Sequence, residues 1–155
     1  MALFNRHDIN SVTIPLRKTA ATYLVEGVES FSNSKNYDIF LSHSYLDKET
    51  IAKMKVILES YGYSTYVDWI EDRQLDRGKI TISTAETLKI RMKACRCLLF
   101  ATSRNSSNSI WMPWELGFFD GYREKVAILP IVDDIDTEYV GQEYLGIYPY
   151  VEKLI

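Results

Sequence analysis

The chain has 155 residues, 46% hydrophobic and 25% charged, enough for one domain with a buried core and unlike disordered, collagen-like or coiled-coil chains. Its net charge of −3 offers no basic footprint for a phosphate backbone, which disfavours nucleic acid as a partner. Aromatic residues stand out at 13%, with 11 Tyr and 3 Trp, more than a minimal core requires. No apolar run of signal-peptide or membrane-spanning length occurs, so a cytoplasmic protein without membrane attachment is expected.

The first 36 residues read as an N-terminal helical extension. Leu16, Ala20, Tyr23, Leu24, Val28 and Phe31 recur at helical spacing, and the polar linker 32–36 follows. That stripe suits either packing on the domain or self-association. Residues 37–155 form the main domain. Tyr37 to Leu41 predicts a first strand that ends in Ser42-His43-Ser44. Asp47 can cap a helix carrying Ile51, Met54, Leu58 and Tyr61 on one face, and Gly62 stops it. Tyr63 to Trp69 is rich in β-formers and predicts a second strand. Ser83 to Glu86 is a capping box that opens a helix to about Lys93. Cys97 to Ala101 predicts a third strand. A third helix starts among Asn108, Ser109 and Ile110 and runs to Gly121, with Pro113 tolerated in its first turn. Val126 to Val132 predicts a fourth strand, and Pro130 places it at or near a sheet edge or ends it there. Asp133 to Glu143 reads as loop, and Tyr144 to Ile155 as holding one short last strand and the start of a helix.

The strand runs are continuously apolar rather than alternating, as strands covered on both faces require. The βαβ order implies right-handed crossovers. The expected fold is therefore α/β, a flavodoxin-like three-layer sandwich around a central parallel sheet. Cys95 and Cys97 are expected on one face of a strand, too close for a relaxed disulfide and without the His or Cys partners zinc needs, so no metal site is predicted.

Ligands of open α/β sheets bind outside the carboxyl ends of the strands. Four segments converge there: Ser42 to Ser44, Asp68-Trp69, Thr102 to Asn108 and Asp133-Asp134. Trp111 and Glu115 stand one turn apart on one face near a helix N-terminus, which favours an ionised carboxylate beside an aromatic plate. That pairing suits a flat cationic ring. A glycine-rich phosphate cradle, a receiver-type acidic cluster and a G-x-S-x-G nucleophile elbow are all missing from the places they would occupy.

The run Tyr-Asp-Ile-Phe-Leu-Ser-His-Ser at 37–44, Val-Asp-Trp at 67–69 with its long polar loop, and Trp111-x-x-x-Glu115 resemble a Toll/interleukin-1 receptor (TIR) domain of bacterial type. The resemblance spans about Asn36 to Ile155. It implies an enzyme that cleaves the nicotinamide–ribose bond of NAD+, as in anti-phage (Thoeris-like) defence, releasing ADP-ribose, a cyclic isomer or a conjugate. By position Glu115 matches the catalytic glutamate and Trp111 the residue stacking near nicotinamide. His43 and Ser44 match pocket-lining positions, Asp68 an acidic one, and Glu71 to Ile80 the BB loop, which takes part in assembly and gates the pocket. NAD+ is then the substrate and no cofactor is implied. TIR–TIR self-association and a downstream effector that reads the nucleotide product are the implied partners. Two alternatives are a non-catalytic TIR adaptor and a nucleoside deoxyribosyltransferase-like enzyme. Nicotinamide leaves NAD+ as a neutral molecule, so one carboxylate suffices where ordinary glycosides need two.

Overall fold

The computed structural model describes residues 3–12, 35–133 and 143–153. The stripe expected from Leu16 to Phe31 lies outside the described residues. Parallel strands β1 (Phe4–Asn5), β2 (Tyr37–Ser42), β3 (Thr65–Tyr66), β4 (Cys95–Thr102) and β5 (Val126–Val132) form a sheet in the order β1-β5-β4-β2-β3. The helices are α1 (Arg6–Asn10), α2 (Lys48–Ser60), α3 (Asp68–Glu71), α4 (Ile82–Lys93) and α5 (Trp111–Arg123).

Side chains of one strand alternate between two cores, which is why the sequence shows no polar face. Ile39, Leu41, Leu99, Ala101, Leu129 and Ile131 pack with Ile51, Met54 and Leu58 of α2. Phe40, Leu98, Phe100 and Ile128 pack on the opposite side with Leu88 and Met92 of α4 and Met112, Leu116 and Phe119 of α5. The three-layer arrangement is thus the expected one. The chain runs outward from β2 to β3, returns across β2 to β4, and continues to β5. Its direction reverses between β2 and β4, so a crevice opens at their carboxyl ends.

Several local expectations are corrected. The second strand is only Thr65–Tyr66, because Val67 and Ile70, three apart, are both buried around the helical turn α3. Helix α4 is capped by Thr81, whose Oγ1 accepts the Thr84 N–H at 3.1 Å, two residues before the proposed cap at Ser83. Asp47 precedes α2 without capping it. Its carboxylate instead pairs with Arg6 Nη2 at 3.2 Å and accepts from Asn105 Nδ2 at 2.7 Å. Cys95 joins the α4–α5 core while Cys97 packs on the α2 side, so the thiols do not share a face; both are unpaired. In the final segment the expected strand shrinks to a single bridge and the helical part is a 3-10 turn. A 3-10 helix, Glu143–Ile147, comes first and Tyr150 then bridges to Ile128.

The N-terminal segment contributes a strand. Phe4 and Asn5 pair with Ile131 and Val132, past Pro130, and leave β5 second from the edge. Two residues carry no periodic signal, so this strand is invisible to sequence patterning. Part of the aromatic excess forms a ladder along α5, where Trp114, Phe118 and Tyr122 stack with centroids 5.8 and 6.2 Å apart.

Candidate active site

Strand alternation along β2 turns Phe40 and Ser42 toward α5. Ser42 Oγ there donates to Glu115 Oε1 at 2.9 Å. Because α5 opens at Trp111, Glu115 is its fifth residue and faces the sheet with 1% of its surface exposed. Burial raises its carboxyl pKa above the ordinary value, against the opposing pull of Arg77 and of the Ser42 hydrogen bond. Glu115 thus lies one residue beyond the first turn of α5, where burial works against the stabilisation of the ionised form that a helix N-terminus offers.

His43 continues from β2 and is also buried. Its Nδ1 lies 2.9 Å from the Leu41 carbonyl and must carry the proton, while Nε2 accepts from Trp69 Nε1 at 3.2 Å. The ring is therefore the neutral Nδ1–H tautomer, and burial holds its pKa below the usual value despite Asp68 nearby. Asp68, at the start of α3, is 3% exposed, and no hydrogen bond reaches either of its carboxylate oxygens among the described residues. His43 Nε2 stands 3.8 Å from Asp68 Oδ1. Ser44 caps the 3-10 turn Tyr45–Asp47 and lies at the rim.

Arg77 joins these groups. Its Nε forms an ion pair with Asp68 Oδ2 at 2.9 Å, and its Nη2 is 3.3 Å from Glu115 Oε1. Nη1 reaches the His43 carbonyl at 3.4 Å. Trp111 Nε1–H donates to the Arg77 carbonyl at 2.9 Å, so the tryptophan clasps the loop backbone. Outside Arg77 opens a cavity of about 600 Å³, lined from three loops by residues that include Ser44, Trp69, Arg73, Asn108 and Trp111. Glu115, His43 and Asp68 are not in its lining; they lie behind the guanidinium. Among the described residues, no three His, Cys, Asp or Glu side chains are grouped as a metal ion would need.

No protein-family model matches the chain. The probable 3′ cyclic ADP-D-ribose synthase ThsB′ of Bacillus cereus (strain MSX-D12) is 48% identical over 163 residues, covering 99% of this chain and 84% of that protein. The putative cyclic ADP-D-ribose synthase TIR2 of Cytobacillus dafuensis is 30% identical over 118 residues, 74% of this chain and 31% of that protein. The chain belongs to the TIR-domain family. A solved TIR domain, from the Toll-related receptor TRR-2 of Hydra magnipapillata, shares the fold with a TM-score of 0.52 at 19% identity, covering 74% of this chain and 84% of that one.

In this TIR domain the structure brings Glu115, His43 and Asp68 together behind Arg77, and places Trp111 and Ser44 in the wall of the cavity outside it. Two further residues contribute: Ser42, named above only as part of the converging Ser42–Ser44 segment, and Arg77, covered only by the Glu71–Ile80 loop. Ser42 was legible from period-2 alternation, which points it to the same side as Phe40. Arg77 had no signal, because a loop arginine among exposed charges reads as solvated surface.

Proposed function

We propose that this TIR domain cleaves the nicotinamide–ribose bond of NAD+ and converts the remainder to a cyclic ADP-ribose, with ADP-ribose as the hydrolytic product. One observation carries the reading: a fully buried glutamate, hydrogen-bonded by Ser42 at the sheet's switch point, in a chain 48% identical to a protein named as a cyclic ADP-ribose synthase. The C1′–N bond breaks with its electron pair moving to the ring nitrogen. Nicotinamide departs neutral and positive charge develops on the ribose. Glu115 stabilises that charge, and Ser42 fixes the carboxylate's direction. Trp111 supports the ring at the cavity wall, where an aromatic face attracts a cation by about 0.5–2 kcal/mol. Capture by water or by a nucleophile of the same molecule completes the reaction and releases one proton, which a carboxylate of raised pKa is suited to accept. Burial of Glu115 limits water at C1′ and so favours intramolecular capture.

The reaction needs no cofactor, since NAD+ is the substrate. The product serves as a signal to a downstream effector in prokaryotic antiviral defence, and copies of the domain associate through TIR–TIR contacts. Among the described residues, no helix is long and apolar enough to cross a membrane, which is compatible with the cytoplasmic setting that such a signal requires.

Incubating purified protein with NAD+, and separately with deoxynucleosides, tests the reading by chromatography of the released base. Wild type is expected to release nicotinamide, and Glu115→Ala to lose at least about 10²-fold in rate with its circular dichroism unchanged. Base released from deoxynucleosides alone would assign the site to a deoxyribosyltransferase. Turnover of neither substrate at any protein concentration would leave an adaptor.

A further inference from the structure

Arg77 departs from its surroundings. Its loop neighbours Asp76, Gly78 and Lys79 are exposed, yet its own side chain is 13% exposed and reaches inward to Asp68 and Glu115. Those two carboxylates are 3% and 1% exposed, and among the described residues the close partner of the Asp68 carboxylate is Arg77, at 2.9 Å. Two buried negative groups thus share one guanidinium, and its removal would leave them uncompensated at high cost. A guanidinium is planar, delocalised and singly positive. So is the nicotinamide ring of NAD+. The cavity outside Arg77 is already open, whereas Glu115 is separated from it by Arg77.

We propose that the Glu115–Asp68 pair is a seat selective for planar cations, that Arg77 is its resident occupant, and that the substrate's ring must displace the guanidinium to reach Glu115. This rests on the NAD+-cleaving reading above and adds a residue that sets affinity and charge selectivity. The exchange swaps one cation for another, so the seat keeps its charge balance throughout. The ends of the loop are anchored independently of Arg77, since Asp72 is held by both Arg91 Nε and Nη2 at 2.8 Å and Thr81 caps α4, whereas the middle is held mainly by the contacts of Arg77 itself. Release costs the ion pairs to Asp68 and Glu115, the contact to the His43 carbonyl and the clasp from Trp111. A neutral ring of the same shape gains less, because it cannot replace the lost charge.

A population in which Arg77 is seated reduces apparent affinity by the fraction that is open. Arg77→Ala is therefore expected to lower KM for NAD+ by about tenfold, assayed at mildly alkaline pH so that Glu115 stays ionised. Arg77→Lys, which keeps a cation, should stay nearer wild type, and Arg77→Met supplies a bulkier neutral variant if Arg77→Ala does not fold. Calorimetry with 1-methylnicotinamide, a planar cation, and with neutral nicotinamide reads the seat without turnover. The cation should bind the neutral variant about tenfold more tightly than wild type, with little change for nicotinamide. A folded neutral variant that binds the cation no more tightly than wild type, or that raises KM, overturns the proposal. Absence of nicotinamide release from NAD+ by wild type and variant alike, with the gain in cation binding intact, would sink the NAD+-cleaving reading and leave the cation seat standing.

Discussion

At the residue scale, the site concentrates its cost in Glu115. A carboxyl whose pKa is raised by burial takes up a proton more readily folded than unfolded. Its contribution to stability is therefore fully present below the ordinary value of 4.5 and is lost as pH rises through the folded value. His43 has the opposite sign, being lowered from 6.5; its contribution is present above 6.5 and is lost as pH falls through the folded value. Glu115→Gln keeps the shape and removes the charge. Denaturant midpoints should place it above wild type at neutral pH, with the gap closing on acidification toward 4.5. A gap that widens on acidification would contradict the burial argument. Sequence made Glu115, Trp111 and Asp68 legible because side-chain type and spacing carry their chemistry. It could not show Arg77, whose importance comes from where a loop folds back, nor that Glu115 lies deep enough for burial to work against its ionised form.

At the element scale, the strands were legible from continuous apolarity and the helices from their faces and stops. Boundaries failed where tertiary contacts outbid local preference. Tyr63 to Trp69 has strand composition, yet burying Val67 and Ile70 together turns its end into α3 and orients Asp68 toward Arg77. Asp47 has cap chemistry, yet Arg6 and Asn105 claim its carboxylate. The loop that carries Arg77 starts at Asp72, which is fully buried with Arg91, Tyr66 donating to the same carboxylate. Removing one partner of a buried pair leaves the other uncompensated, so Arg91→Leu is expected to destabilise the fold by about 3–5 kcal/mol. Urea unfolding measures this directly. A change within about 0.5 kcal/mol, the range of ordinary surface substitutions, would show that the Asp72 anchor carries little of the fold's stability.

At the scale of the whole molecule, topology places the chemistry. Strand order reverses between β2 and β4, so Ser42 at the end of one strand meets Glu115 on the helix after the other. The parallel sheet was implied by the sequence but its strand order was not, least of all at the edge, where β1 joins β5 through a two-residue pairing that no pattern announces. If association of copies favours the open loop, nicotinamide release per unit protein should rise with protein concentration. Strict proportionality across the range in which light scattering detects assembly would count against activation by association. The central claim is that the buried carboxylate of Glu115 drives cleavage of NAD+. Its most direct test is the nicotinamide release rate of wild type against Glu115→Gln, which retains an oxygen for the Ser42 hydrogen bond and loses the charge. The account predicts at least about a 10²-fold fall in kcat with NAD+ still bound; an unchanged kcat in a correctly folded Glu115→Gln protein would contradict it.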